Sequence, residues 1–385
     1  MNFDKLIDRN GTGACKWDRR TDEEKRLGIV PMSVADMEFE CAPCIREAVV
    51  KAAESGIYGY TDPEDTYYDA VTGWIKKRHG LTITKQNISC FYGVVPAISV
   101  CVRCFSNPGD GVIVMTPVYY PFREMIECNG RVTVECPLVP DENGRYTIDF
   151  DLFEKLCASE KNSLLLFCSP HNPVGRVWTR EELTRVHEIC ARHNVRVVSD
   201  EIHFDLVLKG KHTPFALVDE KAILLTSPSK SFNLPGLQLA NIISYDLDAL
   251  NVFNAQKNAD GYSNISFFGR QATIAAYNGS EEWLEEALSY IRGNFEALKA
   301  FFNEHFPSFT VTPLEGTYLA WVDFRPLGLS CAELQKLTRE KSKLLLDEGY
   351  IFGPMGEGFE RFNIALPREI LLSQLNRLLL SAKEC

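Results

Sequence analysis

The sequence predicts an α/β protein, with a three-layer large domain around a mostly parallel sheet and a smaller α+β domain after it. Three observations support this prediction. Short apolar runs in the middle of the chain lack polar alternation, helical stretches separate them, and the pattern changes after about residue 262. Strands covered on both faces are apolar throughout, and β-α-β alternation is typical of a parallel sheet between helices. A chain of 385 residues has room for two or three structural units.

The middle of the chain supplies the elements of the large domain in order. Short runs rich in Val, Ile and Leu predict strands, and longer amphipathic stretches predict the helices between them. The predicted strands are 111–115, 131–136, 163–168, 195–199, 222–226 and 240–244. The predicted helices are 67–79, 96–105, 121–129 and 180–192.

The C-terminal part has a different pattern. A long periodic helix is predicted over 281–306, with two further helices at 331–346 and 368–382. The segments FTVTP, YLAWVDF, GYIF and FERFNIA predict strands among them. We therefore expect an N-terminal arm, which also joins the small domain, over 1–45, a large domain over 46–280 and a small domain over 281–385.

Composition excludes several classes of partner. Asp and Glu number 52 against 41 Lys and Arg, which gives a net charge of −11. That sign repels phosphate backbones and anionic lipid, so we expect no nucleic-acid or membrane partner. The first residues lack the apolar core of a signal peptide, and no run is as long as a membrane span. These features favour a cytoplasmic protein.

The 13 cysteines are odd in number and irregular in spacing, which favours reduced thiols over a disulfide framework. Two C-x-x-C pairs, Cys41/Cys44 and Cys101/Cys104, lie too far apart in sequence for a zinc ribbon. The second pair shares one face of a predicted helix with apolar neighbours. We expect buried thiols there and no metal site.

Polar side chains follow three successive predicted strands. Asn172 comes after 163–168, Asp200 after 195–199 and Lys230 after 222–226. Ligands of open α/β sheets bind beyond the carboxyl ends of the strands. The sequence therefore predicts one cleft that holds an amide, a carboxylate and a lysine.

Pyridoxal phosphate is a cofactor with a use for all three groups. Lys230 would condense with its aldehyde, Asp200 would keep its pyridine nitrogen protonated, and Asn172 would donate to its phenolic oxygen. Its phosphate needs backbone N–H groups at a helix N-terminus, which the segment 92–97 supplies. Tyr119 and Tyr120, directly after a strand, offer an aromatic cover for the ring.

Longer motifs resemble a known family. SPHNPVG, SDEIHFD and SPSKSFNLPGL resemble fold-type I pyridoxal-phosphate enzymes of the class I/II aminotransferase superfamily, whose fold is that of aspartate aminotransferase. KWD, VADMEF, YGYTDP, GVVPAIS, PVYYPF, DEIHFDL and FERFNIALPR resemble the MalY/PatB-type cystathionine β-lyases. The resemblance spans Asp8 to Arg368. It implies a pyridoxal-phosphate-dependent carbon–sulfur lyase that converts L-cystathionine, L-cysteine or related S-conjugates to a thiol, pyruvate and ammonia.

The resemblance also assigns cofactor contacts. It implies that Lys230 binds the cofactor covalently, that Asp200 pairs with the ring nitrogen and that Asn172 bonds the phenolic oxygen. The further contacts it implies are His203 near that oxygen, Ser227 and the amides of Val94 and Val95 at the phosphate, Tyr119 on the ring, and Tyr60 at the phosphate of a neighbouring subunit. The active site of a homodimer would then lie at the subunit interface.

Substrate contacts follow from the same resemblance. Arg361 matches the arginine that binds the substrate α-carboxylate, and Ala35 and Tyr120 are expected beside the substrate. Lys230, with Tyr120 or Tyr60, would move the protons. The position eight residues after the lysine, where many aminotransferases carry a phosphate-binding arginine, is Gln238, which favours a lyase.

Alternative interpretations stay open at this point. Asp200 is also a suitable helix N-cap, Tyr120 a packing aromatic and Arg361 a structural ion-pair partner. An aminotransferase on the same scaffold shares the first chemical step with a lyase. A regulatory, protein-binding role is the third possibility.

Overall fold

The computed structural model describes residues 1–383 and contains a seven-stranded sheet. Its strands in chain order are β1 (Ile88–Phe91), β2 (Gly111–Val114), β3 (Val132–Glu135), β4 (Asn162–Cys168), β5 (Arg196–Asp200), β6 (Ile223–Thr226) and β7 (Ala240–Ile243). Their spatial order is β1-β7-β6-β5-β4-β2-β3, and only β7 runs antiparallel to its neighbours. The predicted mostly parallel sheet is therefore confirmed. The strand β1 was not predicted, because ISCF is short and interrupted by a serine.

Helices cover both faces of this sheet. They are Pro43–Glu54, Asp65–His79, Val94–Phe105, Pro121–Glu127, Phe150–Cys157, Arg180–Arg192, Leu247–Ala259 and Phe267–Gly279. All the helices predicted within this region are present, with ends shifted by two residues or fewer. The sequence did not predict four of these helices, at 43–54, 150–157, 247–259 and 267–279. The last of these packs against both Pro43–Glu54 and Asp65–His79, so it lacks the single apolar face that marks a surface helix.

A second, four-stranded antiparallel sheet lies in the C-terminal part. Its strands are β8 (Thr310–Val311), β9 (Leu319–Asp323), β10 (Asp347–Glu348) and β11 (Phe359–Asn363), in the spatial order β8-β9-β11-β10. The helices Glu281–His305 and Arg368–Ala382 pack against each other beside it, as predicted. The α+β character of this part is therefore present, while the domain limits drawn from the sequence stay a prediction.

Two of the predicted C-terminal elements were wrong. The helix expected over 331–346 is an α-helix only over Cys331–Gln335 and continues as a π-helix that ends at Lys341. Lys343, two residues later, has a positive φ of 57°, which a helix cannot accommodate. The segment GYIF, predicted as a strand, is a 3-10 helix over Gly349–Phe352. Gly349 packs so closely on Gly356 that a Cβ would lie 2.0 Å from the Gly356 carbonyl oxygen, and this contact bends the chain there.

The N-terminal residues join the small sheet region rather than standing apart. Val30–Pro31 pairs in parallel with Leu344–Leu345, and the Glu38 amide donates to the Ala365 carbonyl at 2.9 Å. A further short ladder joins Val139–Pro140 to Tyr146–Thr147. The first of these contacts places residues 33–38 beside the carboxyl ends of the large sheet.

Residues 1–383 contain 12 of the 13 cysteines, and of the second C-x-x-C pair Cys101 is buried as expected whereas Cys104 is only half-buried. Each cysteine within that range is a free thiol, and no group of three or more His, Cys, Asp or Glu side chains there is placed to hold a metal ion. Within the same range, no helix is both long and apolar enough to cross a membrane.

Arg176 forms hydrogen bonds to both sheet regions. Its guanidinium is fully buried and donates to Glu182 on a large-sheet helix at 2.8 Å and to Glu315 before β9 at 2.9 Å. It also donates to the Tyr146 carbonyl. Its cation lies over the Trp178 ring at 4.4 Å.

We expect Arg176→Met to lower the free energy of unfolding by about 3 kcal/mol, because it leaves two carboxylates without their buried cation. Urea denaturation followed by circular dichroism measures the change. Arg325→Met is the matched control, since the Arg325 side chain is 59% exposed and its pair with Asp323 is worth about 1 kcal/mol or less. Equal losses of unfolding free energy in both variants would contradict the assignment of Arg176 as a buried cation that links the two sheet regions.

Candidate active site

The carboxyl ends of β4, β5 and β6 open into one cavity of about 270 Å³. Asn172, Asp200 and Lys230 all line it, as the order of the predicted strands implied. Other predicted site residues in its wall are Ala35, Val94, Val95, Tyr119, His203 and Ser227. Sequence reasoning therefore found most of this wall, although the residues come from distant parts of the chain.

Lys230 lies in a single helical turn that follows β6. Ser227 caps the turn by accepting from the Ser229 amide at 3.1 Å, and Pro228 occupies the first helical position. The next side chain, Ser231, donates to Asp205 at 2.6 Å and fixes the turn against the core. Part of the Lys230 surface faces the cavity, and its Nζ donates to the Ala35 carbonyl.

The environment of Lys230 favours its neutral amine. Loss of water around the side chain lowers the pKa of Lys230 to about 8, and the nearby Arg361 cation acts in the same direction. Asp36 and Asp200 oppose this shift with their negative charges. About a tenth of Lys230 is therefore unprotonated at pH 7, far more than of a free lysine, and the unprotonated amine is the form that a nucleophile or base requires.

Asp200 ends strand β5 and is buried, with 4% of its surface exposed. Burial raises the pKa of this carboxyl to about 7, although the Ile202 amide donates to it at 3.1 Å and the charge of Lys230 also favours ionisation. A turn, not a helix, follows Asp200, so the helix N-cap interpretation was wrong. A cation brought close to this carboxyl would ionise it.

Asn172 links the cavity to Arg361 on strand β11. Its Oδ1 accepts from Arg361 Nη1 at 2.8 Å. The Arg361 guanidinium is buried, lies over the Phe352 ring at 4.7 Å and also contacts Asp347. Within residues 1–383, no group accepts a hydrogen bond from its Nε.

His203 and Tyr119 supply rings to the cavity wall. Burial lowers the pKa of His203 well below its usual value, so its imidazole is neutral, and within the described range its Nδ1 has no hydrogen-bond partner. Burial raises the pKa of the Tyr119 phenol, which keeps it protonated. Both rings therefore offer neutral surfaces and hydrogen-bonding groups.

The far end of the cavity suits an anion. The helix Val94–Phe105 begins there, and the N–H groups of its first turn lack helical acceptors. Ser227 Oγ lies at the same end and donates to the Leu239 carbonyl at 2.6 Å. Gln238, with a positive φ of 50°, also lines the wall.

Three predicted site residues are absent from the cavity wall of their own chain, namely Arg361, Tyr60 and Tyr120. Tyr60 is 98% exposed, in a segment between two helices. Tyr120 is 38% exposed, and its ring lies 6.1 Å from that of Phe352, the ring beneath Arg361. Within one chain, Tyr60 does not reach the cavity, whereas Tyr120 stands at its Arg361 side.

Sequence reasoning missed the residues that hold this wall in place. Tyr318 donates to the Ala35 carbonyl at 2.9 Å, and Asn363 donates to the carbonyls of Val34 and Asp36 at 2.8 and 2.7 Å. Asn363 lies in the FERFN segment, two residues after Arg361, and its place in that motif could have indicated it. Nothing in the sequence around Tyr318 signals its contact.

The donors and acceptors present fit pyridoxal phosphate. One side of the cavity is lined by a lysine with a lowered pKa, a buried carboxyl, an amide and a neutral imidazole. A cationic ring nitrogen would ionise that carboxyl. The helix N-terminus at the other side suits a phosphate.

The chain is similar in sequence and structure to known proteins. Residues 28–378 match the family model "Aminotransferase class I and II". The chain is 40% identical to cystathionine beta-lyase PatB of Bacillus subtilis over 98% of its length and 99% of that protein's. It is 35% identical to protein MalY of Escherichia coli, covering 96% of each. The structure of cystalysin from Treponema denticola, which contains pyridoxal 5'-phosphate, superposes with a TM-score of 0.95 at 38% identity over 100% of this chain and 99% of that one.

For the protein freed of bound ligand, we expect Asp200→Asn to be stabilising at neutral pH and neutral in acid. The folded pKa of Asp200 is raised, so its favourable contribution exists below about pH 4 and is lost as the pH rises towards 7. The variant should therefore gain about 4 kcal/mol over the parent above pH 7. Denaturant titrations from pH 4 to 8 measure the difference.

Asp246→Asn provides the opposite control. The pKa of Asp246 is lowered, with burial opposing and the Ala249 amide and Arg196 favouring ionisation, so this variant should lose stability relative to the parent as the pH rises. Parallel pH profiles for the two variants would contradict the assigned environment of Asp200.

Proposed function

We propose a function from the family to which this chain belongs: it is a member of the class I and II aminotransferases and, within them, of the MalY/PatB-type cystathionine β-lyases. The protein is a pyridoxal-phosphate-dependent carbon–sulfur β-lyase. It acts on a sulfur amino acid of the L-cystathionine type and yields a thiol, pyruvate and ammonia. The observation that carries this proposal is the meeting of Lys230, Asp200 and Asn172 in one cavity, with Arg361 bonded to Asn172.

Pyridoxal phosphate, when bound, supplies an electron sink that stabilises negative charge at the substrate Cα. The residues that would hold it are Lys230 at its aldehyde carbon, Asp200 at its ring nitrogen, Asn172 and His203 at its phenolic oxygen, Tyr119 on its ring, and Ser227 with the Val94 and Val95 amides at its phosphate. Asp200 would keep the ring nitrogen protonated, because a buried carboxylate is stable only beside a cation.

Lys230 moves the proton. With a pKa of about 8, roughly a tenth of the amine is neutral at pH 7 and about half at pH 8, and this form of Nζ accepts the proton from the substrate Cα. The Cβ–S bond then breaks and the sulfur leaves as a thiolate. Lys230 Nζ, Tyr120 or Tyr60 of the partner subunit returns a proton to that sulfur. The remaining fragment takes up water and leaves as pyruvate and ammonia.

Arg361 orients the substrate. Its planar guanidinium suits two parallel hydrogen bonds to an α-carboxylate, and its contact with Asn172 holds it towards the cavity. Ala35 lines the cavity on the side of Lys230 and accepts from its Nζ, so it borders the space for the substrate. The excess of negative charge over the whole chain thus does not prevent a local cationic site.

The exposed segment around Tyr60 supports a homodimer. Ile57, Tyr58 and Tyr60 are 78%, 58% and 98% exposed, which is unusual for neighbouring apolar side chains. We place this segment against a second copy, with Tyr60 at the phosphate of the partner's cofactor. We further propose a cytoplasmic location, which the free thiols support.

With L-cystathionine as the only substrate and no keto acid added, the holoenzyme should release pyruvate continuously. Lys230→Ala should lower this rate by a factor on the order of 10³ or more, because it removes both the cofactor's anchor and the base. Lys221→Ala, at an exposed lysine just before β6, is the matched control and should keep the parental rate. A coupled pyruvate assay measures all three. If no pyruvate appears and one equivalent of the substrate's own 2-oxo acid forms, with its amino group left on the cofactor, the protein is an aminotransferase instead.

Mixed dimers test the position of Tyr60. Lys230→Ala and Tyr60→Ala chains should each be impaired alone, yet co-expression should restore up to about a quarter of the parental rate, since half the dimers are hybrids with one complete site. Pyruvate release by the co-purified mixture measures this gain. A rate no higher than the mean of the two separate variants would refute a shared site.

A further inference from the structure

Arg361 already has a carboxylate partner. Asp347 on β10 lies directly opposite Arg361 on β11 in the strand register, and its Oδ2 contacts Arg361 Nη2. The pair is largely enclosed, with 3% of the arginine and 15% of the aspartate side chain exposed. The same Oδ2 accepts from the Val34 amide at 3.1 Å.

The guanidinium keeps donors for a second carboxylate. Nη1 bonds Asn172, Nη2 contacts Asp347, and Nε has no acceptor among the described residues. A bound α-carboxylate would therefore share one cation with Asp347. In an enclosed site two carboxylates that share a single cation repel each other, and this repulsion lowers the affinity of the one that exchanges.

We propose that Asp347 is a specificity-determining residue that weakens the hold of Arg361 on α-carboxylates, so that the carboxylate product leaves as readily as the substrate binds. This inference rests on the proposed role of Arg361 in the lyase. Pyruvate carries the same carboxylate as the amino acid. An enclosed arginine without a carboxylate partner would bind both molecules tightly and release the product slowly. Asp347 therefore lowers the affinity for the substrate and raises the rate of turnover.

The neighbouring acids do not share this role. Glu348 accepts from Gln335 at 2.8 Å and lies 4.0 Å from Arg339, on the other face of the strand. Glu360, beside Arg361 in sequence, is buried. Asp347 is the carboxylate that contacts Arg361 within the described chain.

A purely structural role for Asp347 is separable from this one. Val34 has a positive φ of 45°, and its amide is held by Asp347, so the aspartate also anchors the segment that contains Ala35. Asp347→Asn keeps an acceptor oxygen for the Val34 amide and removes only the charge. Glu348→Gln removes one charge from the same strand without touching Arg361 and is the matched control.

The experiment titrates the pyridoxal-phosphate holoenzyme with β-methylthiopropanoate, which has a carboxylate but no amine and cannot react with the cofactor. Its uncharged amide is titrated in parallel, and binding is followed by calorimetry. We expect Asp347→Asn to bind the carboxylate on the order of tenfold more tightly than the parent. The amide should bind both proteins alike, and Glu348→Gln should match the parent with either probe. For the lyase reaction, KM and kcat should both fall in Asp347→Asn.

Unchanged or weaker carboxylate binding by Asp347→Asn would overturn the proposal, as would an equal gain in Glu348→Gln. If the parental holoenzyme fails to prefer the carboxylate over the amide, the role of Arg361 itself is wrong and this inference falls with it. Continuous pyruvate release by the parent tests the lyase function separately, so the failures are distinguishable.

Discussion

Lys230 and Asp200 line one cavity, and removing water from two ionisable groups costs free energy that the surrounding fold must supply. The cost appears as opposite pKa changes, which bring the lysine down to about 8 and the carboxyl up to about 7. Parallel strands meet this demand, because their carboxyl ends place such groups at one edge while the apolar bodies of β5 and β6 lie in the core. The groups are poised for a ligand that carries complementary charge.

The part of the cavity wall that contains Ala35 depends on an ion-pair cluster near the N-terminus. Lys16, 3% exposed, contacts Asp36 at 3.0 Å and Glu38 at 2.9 Å, and Arg9 contacts the same two acids. Together with Asn363 these contacts fix the segment on either side of Ala35, whose carbonyl accepts from Lys230. Asn363 joins this N-terminal segment to the small sheet, so Lys230 is oriented by parts of the chain that lie outside its own sheet.

The sequence predicted the large sheet and the groups at its strand ends, because buried parallel strands are apolar throughout and the polar residues after them stand out. It could not predict β1, whose four residues carry no distinctive pattern, or β10, which is two residues long. Asp347 belongs to β10, and its position opposite Arg361 arises from strand register between segments joined by a 3-10 turn. Local pattern does not encode such a register. Tyr318 was missed for the same reason, since its contact with Ala35 joins distant parts of the chain.

Arg361 has a sequence neighbour that is held neutral. Glu360 precedes it on β11 and points to the opposite face, where burial, and then the charges of Glu348 and Asp347, raise its pKa well above the usual range. A protonated Glu360 does not compete for the guanidinium. Alternation along one strand thus places a cation in the site and a neutral acid behind it. Among the described residues, Asp347 is the anionic side chain that contacts Arg361, and we propose that this contact sets how strongly a substrate carboxylate can be held.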